Sequence, residues 1–212
     1  MKKEYLKISD SVSMFKHVAQ TMIDSVDILT KADQVIGDGD HGIGMQRGFE
    51  AVLNELNGNQ FNSLNDLFKK IGYALMNSSG GASGAIFGTL FIGAARELGN
   101  KDKIDANNLS IFLKSGLDAV QKRGKAKPGD KTMVDALEPA AVAAANCSSL
   151  NECITTAASA AKSGMEATKN MVAGFGRAKS LGERAIGHPD PGSISVSLIL
   201  NAMKDYITSN HK

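Results

Sequence analysis

The sequence contains no tryptophan, and aromatic residues make up only 5% of its 212 positions. Few flat side chains are therefore present on which nucleic-acid bases could stack. Basic and acidic residues are nearly balanced, 24 against 22, and give a net charge of +2 without a basic block. Because proteins dedicated to nucleic-acid binding usually concentrate basic residues on one face, the composition disfavours that class of function.

Cysteine is nearly absent, since Cys147 and Cys153 are the only two. They do not form a CxxC pair, which disfavours a structural zinc site. Their spacing would place them on different faces of a helix, so we expect no disulfide. Free thiols of this kind are typical of a reducing compartment.

Long apolar runs are also missing. Residues 1–15 carry charges and lack the continuous apolar stretch of a secretory signal. No apolar run approaches the roughly 20 residues that a membrane-spanning helix needs. We therefore expect a cytoplasmic protein that does not enter a membrane. With 42% hydrophobic residues the chain is able to bury a sizeable core, and we expect residues 1–212 to form a single domain.

Helical periodicity dominates what is present. Apolar residues recur at three- and four-residue spacings in eight segments, whereas strand alternation and hairpin dipeptides are missing. The eight predicted helices are 11–29, 45–56, 63–75, 83–98, 108–122, 132–146, 149–171 and 191–207. One stretch, 193–200, does alternate, but it continues into 201–207 without a break, and we interpret it as helix. The pattern predicts an all-α bundle or ring of antiparallel helices.

The polar residues of interest lie between the predicted helices. They fall in the connections 33–44, 78–84, 124–132 and 174–192, which follow the first, third, fifth and seventh helices. Sequential antiparallel helices place alternate connections at the same end. We therefore expect these four connections to meet at one rim.

The first of these connections contains three carboxylates beside a glycine-rich turn. Asp33, Asp38 and Asp40 offer the hard oxygen ligands that Mg²⁺ prefers. An EF-hand is excluded, because the twelfth position counted from Asp38 is Phe49 and not glutamate. The alternative to a metal site is a solvated loop that caps the next helix. His41 follows at once, and it could bind a metal, hydrogen-bond a phosphate or merely cap that helix.

Two further connections carry glycine and lysine. SSGGASGAIFG, residues 78–88, runs into a helix whose first N–H groups form a ready anion site. Tight helix packing between small residues is the alternative. GKAKPGDKT, residues 124–132, is not a P-loop, because Asp130 separates the second glycine from Lys131 and no strand precedes it. The lysines of this turn either lie near phosphates or are solvated.

The longest connection, 174–192, contains Arg177, Arg184, His188 and Asp190. A loop of this length is usually either functional or disordered. Arginine offers a planar fork for phosphate oxygens, and Asp190 is placed to cap the last helix. Taken together, the four connections predict a metal–phosphate site. Divalent ions would lie between the carboxylates and an anionic nucleotide, because carboxylates cannot otherwise face phosphates.

Four ordered motifs then suggest a family: GDGDHG (37–42), SSGGASGAIFGTLF (78–91), RGKAKPGDKTM (123–133) and GRAKSLGERAIGHPDPG (176–192). They resemble the nucleotide-binding L subunit (DhaL) of bacterial dihydroxyacetone kinases of the phosphotransferase-system type. The resemblance extends over essentially the whole chain. It implies a barrel of eight antiparallel helices that holds ADP or ATP and two Mg²⁺ ions at one rim.

The resemblance also implies site residues. The metal ligands would be Asp33, Asp38 and Asp40. The nucleotide contacts would be His41, Gly42, Ile43, Gly44, Ala82, Ser83, Gly124, Met133, Arg177, Asp190, Pro191 and Gly192. Among these, Met133 is suited to an adenine face, and Arg177 could stabilise the charge of the transferring phosphoryl group. No other catalytic residue is assigned.

Finally, the resemblance implies partners. A separate K subunit would hold dihydroxyacetone, and an M subunit carrying phosphohistidine, charged from phosphoenolpyruvate, would convert bound ADP back to ATP. Gly39 differs from the GDADHG reading of the phosphotransferase subunits, and Gly44 replaces a polar residue usual there. The phosphoryl source therefore stays open, with free ATP, another ketose such as erythrulose, or a nucleotide-sensing regulatory module as alternatives. The oligomeric state stays open too, and a homodimer is one of the options.

Overall fold

Helices make up most of the part of the chain that the structure describes. The structure, a computed structural model, describes residues 4–209. Within that range nine α-helices follow one another: α1 (Ile8–Asp24), α2 (Val26–Ile36), α3 (His41–Gly58), α4 (Leu64–Ser78), α5 (Gly81–Leu98), α6 (Ala106–Gly124), α7 (Val134–Ala143), α8 (Leu150–Ala167) and α9 (Pro191–Ser209). The prediction of a mostly helical protein is confirmed. None of the helices described is long and apolar enough to cross a membrane.

The prediction of a single helix over 11–29 was wrong. The structure contains two helices there, α1 and α2, which meet at Ser25. The Ser25 hydroxyl donates to the carbonyl of Thr21 at 2.7 Å. A serine bonded back to the preceding turn in this way often bends a helix. Because α2 continues beyond the predicted end, Asp33 lies on a helix and not in the predicted connection.

Two short strands were not predicted. β1 (Tyr5–Lys7) pairs antiparallel with β2 (Lys103–Asp105), and Leu6 lies opposite Ile104. Both of these apolar residues are buried, while their neighbours are wholly or partly exposed. Three residues are too few for an alternating pattern to be recognised in a sequence. This ribbon joins the start of the described chain to the connection between α5 and α6.

Several helix boundaries differ from the prediction by a few residues. The helix α3 begins at His41, four residues before the predicted start, because the glycines that follow were read as part of the connection. The helix α8 ends at Ala167, and a 3₁₀ turn, Thr168–Asn170, takes up most of the remaining predicted helix.

The long connection before α9 contains 3₁₀ geometry that was not predicted. Arg177–Ala185 adopts 3₁₀ geometry with a break at Gly182, where φ is +56°. The hydroxyl of Ser180 donates to the carbonyl of Arg177 at 2.8 Å, which supports the first of its turns. Residues 177–185 of this connection are therefore a structured segment.

The helices pack mainly on their neighbours in sequence, with α4 on α5, α5 on α6, α7 on α8 and α8 on α9. The helix α1 packs on both α3 and α9, so the first and last helices are neighbours as well. Phe15, Phe68, Phe91 and Phe112, from α1, α4, α5 and α6, meet in the core with ring centroids 5.0–6.4 Å apart. Burial of these large rings is a main source of cohesion between these four helices.

Both cysteines are free thiols. Cys153 is buried on α8, and burial raises the pKa of its thiol to about 12. Cys147 lies in the turn before that helix. The prediction that the two thiols lie on different faces of one helix was therefore wrong, although the expectation of unpaired cysteines agrees with the structure.

Candidate functional site

One cavity lies where four connections between helices meet. Its volume is about 360 Å³, and its lining residues fall within 33–47, 79–87, 132–133, 175–178 and 190–192. These stretches lie in, or in the helix turns next to, the connections between α2 and α3, α4 and α5, α6 and α7, and α8 and α9. The expected meeting of the four connections at one place agrees with the structure.

The three predicted metal ligands lie together in the wall of this cavity. Asp33 projects from the last turn of α2, and Asp38 and Asp40 lie in the turn before α3. One carboxylate oxygen from each lies within 4.8 Å of the others. Gly39 has φ +79°, a left-handed conformation that glycine adopts without strain. A side chain at Gly37 would collide with the carboxylate of Asp33.

This carboxylate cluster suits a hard divalent cation. It presents only oxygen ligands, two of its members are exposed, and Asp33 is half-buried. Mg²⁺ is commonly bound by a few carboxylates while water and phosphate oxygens complete its coordination. The cluster has this composition and opens towards the cavity, so the residues present fit Mg²⁺.

Arg177 approaches the same carboxylates from the 3₁₀ segment. Its Nη2 lies 2.8 Å from Oδ2 of Asp38. The two side chains are 69% and 35% exposed, so water screens the ion pair and it adds little to stability. Its effect is local, because one positive charge already offsets part of the negative charge of the cluster.

His41, the first residue of α3, is buried at the base of the cavity with 6% of its surface exposed. Its Nδ1 lies 3.0 Å from Oγ of Ser83 on α5, and its Nε2 lies 2.8 Å from Oγ of Ser195 on α9. Burial lowers the pKa of the imidazole, while the charges of Asp33 and Asp40 act in the opposite direction. The ring therefore links three helices through hydroxyl partners.

The turn before α5 and the first residues of that helix line the cavity. Gly80 and Gly81 have φ values of +74° and +60°, so glycine is needed for this path. No side chain caps the start of α5 at Gly80. Ala82 and Ser83 follow in the first turn of the helix and line the cavity. Free N–H groups at a helix start attract anions, with help from the helix dipole.

Tight packing, the alternative interpretation of this motif, is found as well. A Cβ on Gly84 would lie 2.9 Å from the carbonyl of Leu75. On α3, a Cβ on Gly44 would lie 2.9 Å from the carbonyl of Ser79, and one on Gly48 would overlap the Ser79 hydroxyl. The motif thus both begins α5 and brings α3, α4 and α5 into close contact.

Asp190 caps α9, as predicted. Its Oδ2 accepts a hydrogen bond from the N–H of Ser193 at 2.6 Å. Burial raises the pKa of this carboxyl group to about 7, against the opposing effect of that hydrogen bond. Pro191 and Gly192 follow in the cavity wall, and Met133, which is 6% exposed, faces them from the start of α7.

Three of the twelve predicted nucleotide contacts do not line the cavity. Gly42 packs against the α2 backbone, where a Cβ would overlap the Thr30 hydroxyl. Ile43 is 50% exposed, and it lies outside the lining. Gly124 ends α6 near Ile86, and it is the Ile86 side chain that lines the cavity.

Sequence reasoning missed several residues of the site. Arg47 of α3 lines the cavity and donates from Nη2 to the carbonyl of Ser79 at 3.1 Å, which holds the turn before α5. Ser195 binds His41 from α9. Buried serines on an otherwise apolar helix were a usable signal for it.

Lys131 was expected near phosphates or in solvent, but it is 2% exposed and bonded to backbone carbonyls.

Comparison with known proteins accounts for this arrangement. Residues 35–205 match the family model described as the DAK2 domain. The chain belongs to this family. The matched stretch contains every lining residue of the cavity except Asp33.

Several DAK2 relatives are separate subunits. The ADP-binding subunit DhaL of PEP-dependent dihydroxyacetone kinase 1 from Listeria innocua is 39% identical over 83% of this chain and 85% of that protein. The DhaL subunit of the PEP-dependent dihydroxyacetone kinase from Escherichia coli is 40% identical over 82% of this chain and 85% of that protein.

Other relatives are longer. The solved dihydroxyacetone kinase from C. freundii in complex with AMP-PNP and Mg²⁺ superposes with a TM-score of 0.73 and 27% identity, over 92% of this chain but 33% of that chain. The L-erythrulose kinase of Pectobacterium atrosepticum is 35% identical over 86% of this chain, which spans 32% of its length. This chain therefore corresponds to about one third of these longer kinases.

Proposed function

We propose that this chain is the nucleotide-binding L subunit of a multi-subunit dihydroxyacetone kinase. The single observation that carries the proposal is that three carboxylates and the uncapped start of α5, which follows Gly80, line the same cavity. The identity of 39–40% to DhaL subunits over most of both chains supports it. The activity proposed is phosphoryl transfer from a magnesium-bound nucleotide.

In the proposed site Asp33, Asp38 and Asp40 hold two Mg²⁺ ions, which neutralise the phosphate charge of ADP or ATP. The N–H groups of Ala82 and Ser83 bind phosphate oxygens at the start of α5. The remaining lining residues of the predicted set, His41, Gly44, Met133, Asp190, Pro191 and Gly192, shape the nucleotide cavity.

Arg177 is the proposed residue for the transferring phosphoryl group. Its guanidinium already lies at the carboxylate cluster, 2.8 Å from Asp38, on an exposed segment at the cavity mouth. A positive charge in this place stabilises the charge that spreads over the phosphoryl oxygens in the transition state. The group that activates the acceptor hydroxyl is proposed to come from the K subunit.

The proposed partners rest on the names of the DhaL relatives. The DhaL relatives that this chain matches over 85% of their length are named as subunits of PEP-dependent kinases. We infer a separate K subunit that carries dihydroxyacetone and an M subunit that restores ATP from phosphoenolpyruvate. We also infer that residues 1–212 form one cytoplasmic domain with an eight-helix barrel, in which α1 and α2 together take the place of the first predicted helix. Contact of α1 with both α3 and α9 supports a closed barrel.

A kinase for another ketose, with free ATP as donor, is the second candidate. Two L-erythrulose kinases are 33–35% identical to this chain. Gly39 supports this candidate too, because the resemblance associates glycine at this position with ATP-using enzymes. Assay of dihydroxyacetone and erythrulose with either donor distinguishes the two candidates.

The test begins with mass spectrometry of the natively purified protein, followed by calorimetry of the stripped protein with ADP and ATP, with and without Mg²⁺. Retained ADP that only a chelator releases supports recharging in place, and exchangeable binding supports free ATP as the donor. Absence of nucleotide binding under all conditions overturns the proposal.

The metal assignment is tested by Asp40→Asn, with Asp27→Asn on the exposed start of α2 as the matched control. We expect Asp40→Asn to weaken magnesium-dependent ADP binding by about tenfold or more, because a carboxylate ligand is lost. The control should bind normally. Full, magnesium-independent binding by Asp40→Asn would overturn the assignment.

A further inference from the structure

Lys131 is a buried lysine next to the cavity, in the connection between α6 and α7. Only 2% of its surface is exposed, and its φ of +59° is a left-handed conformation that lysine rarely adopts. Burial lowers the pKa of its ammonium group, and the charges of Asp190 and Asp135 oppose that shift. Burial of a charge and a left-handed backbone are both unfavourable, so packing alone does not account for a lysine here.

The ammonium group of Lys131 joins two points that are distant in sequence. Its Nζ donates to the carbonyl of Thr168 at 2.6 Å and to the carbonyl of His188 at 2.6 Å. Thr168 lies directly after α8, and His188 lies three residues before α9. The same lysine therefore holds both ends of the connection between these helices.

Two further hydrogen bonds close the same junction. The N–H of Asp190 donates to Oγ1 of Thr168 at 3.0 Å, and the N–H of Gly187 donates to the carbonyl of Lys169 at 2.7 Å. Phe175 and Arg177 line the cavity from within the closed segment. Asp190 and the residues that follow line it from the far end.

We propose that Lys131 is a positioning residue for the nucleotide site. It does not touch the ligand. It fixes the two ends of segment 168–190, and through them it sets the position of Arg177 and of the turn that begins α9. This inference rests on the proposed function, because it assigns the segment to the binding of a nucleotide.

The test compares Lys131→Met, which keeps the length of the side chain but removes its donors, with Lys169→Met as the matched control. Lys169 is a half-buried lysine of the same junction whose ammonium pairs with Glu166. We expect Lys131→Met to raise the dissociation constant of ADP, at saturating Mg²⁺, by about tenfold, because two charge-assisted hydrogen bonds are lost. The control should stay within about twofold of the native protein.

A second measurement separates positioning from general destabilisation. Binding of Mn²⁺ alone, followed by electron paramagnetic resonance, should change by no more than about threefold in Lys131→Met. The carboxylate cluster lies on α2 and the turn before α3, and only the ion pair of Asp38 with Arg177 depends on segment 168–190. Hydrogen exchange should accelerate at the amides of Gly187 and Asp190 and stay unchanged in α4 and α5.

If Lys131→Met does not fold, Thr168→Val tests the same junction. It is nearly isosteric, keeps Lys131, and removes the hydroxyl that accepts from the Asp190 N–H and donates to the Met165 carbonyl. We expect about a threefold loss of ADP affinity from the loss of these bonds. Normal ADP affinity in folded Lys131→Met, or in Thr168→Val where Lys131→Met does not fold, overturns the positioning role alone when the native protein binds ADP. Native protein that binds no nucleotide overturns the proposed function and this inference together.

Discussion

At the level of single residues, Asp190 combines two roles that favour opposite charge states. The hydrogen bond from the N–H of Ser193 favours the carboxylate, but burial prevails and raises the pKa to about 7. The unfolded value is about 3.9. Because the folded pKa is the higher one, folding favours the protonated form. Its contribution to stability is complete below about pH 4 and is lost as the pH rises through 7.

We therefore expect Asp190→Asn to change the pH dependence of stability in metal-free protein. Asparagine caps a helix as well as aspartate does and carries no charge. The melting temperature of the variant should exceed that of the native protein by a margin that grows between about pH 4 and pH 7. Thermal unfolding in chelator at a series of pH values measures this, and a constant difference would contradict the assigned pKa.

The Arg177 guanidinium lies beside a carboxylate that would also bind a metal ion. Its ion pair with Asp38 places a positive charge beside the carboxylates. We expect Arg177→Met to bind Mn²⁺ alone about threefold more tightly, because an exposed pair of this kind is worth under about 1 kcal/mol. Phosphoryl transfer in the presence of a K subunit should fall in the same variant.

The control for this prediction is Arg184→Met, an exposed arginine of the same 3₁₀ segment. This variant removes the same positive charge but keeps the ion pair between Arg177 and Asp38. Equal gains in Mn²⁺ affinity for both variants would show that net charge alone, and not the contact with Asp38, governs the site.

At the level of elements, close approach of α3 to the turn before α5 builds one wall of the cavity. We expect Gly48→Ala to lower the free energy of unfolding by about 1–3 kcal/mol, because the added Cβ overlaps the Ser79 hydroxyl. Nucleotide affinity should fall with it. Gly58→Ala, at the end of the same helix with no atom within 4 Å of the added Cβ, should be neutral. Urea unfolding of both variants makes the comparison.

Helices were predictable from the sequence because each long element repeats its apolar spacing over several turns. The break between α1 and α2 at Ser25 was not predictable. The Ser25 hydroxyl bonds back to the Thr21 carbonyl, and this bond leaves the spacing of the apolar residues unchanged. The ribbon of Leu6 and Ile104 was missed for a different reason. A strand of three residues is defined by its partner, which lies almost 100 positions away, and not by its own pattern.

At the level of the whole molecule, the cavity draws its walls from residues between 33 and 192, so occupation should stabilise most of the fold at once. At a concentration 100 times the dissociation constant, Mg²⁺–ADP should raise the melting temperature by roughly 5–10 °C. Excess chelator should reverse the gain. Calorimetric scans measure both, and an equal gain with ADP in chelator would contradict a metal-dependent site.

Site residues in short motifs were predictable from the sequence, and site residues that act through distant contacts were not. The aspartates and glycines lie in short motifs whose chemistry is visible in a few adjacent residues. Arg47, Lys131 and Ser195 were missed, because each acts through a contact with a distant segment. Burial decides between a solvated lysine and a structural one, and burial is a property of the assembled chain.

Phe175 lines the mouth of the cavity and is 38% exposed, in a protein that has no tryptophan. An indole introduced by Phe175→Trp would therefore be the sole emitter under excitation at the red edge of protein absorbance. Its signal would originate from the segment that carries Arg177. Arrival of a nucleotide and docking of a partner subunit could then be timed separately, in real time and without a dye.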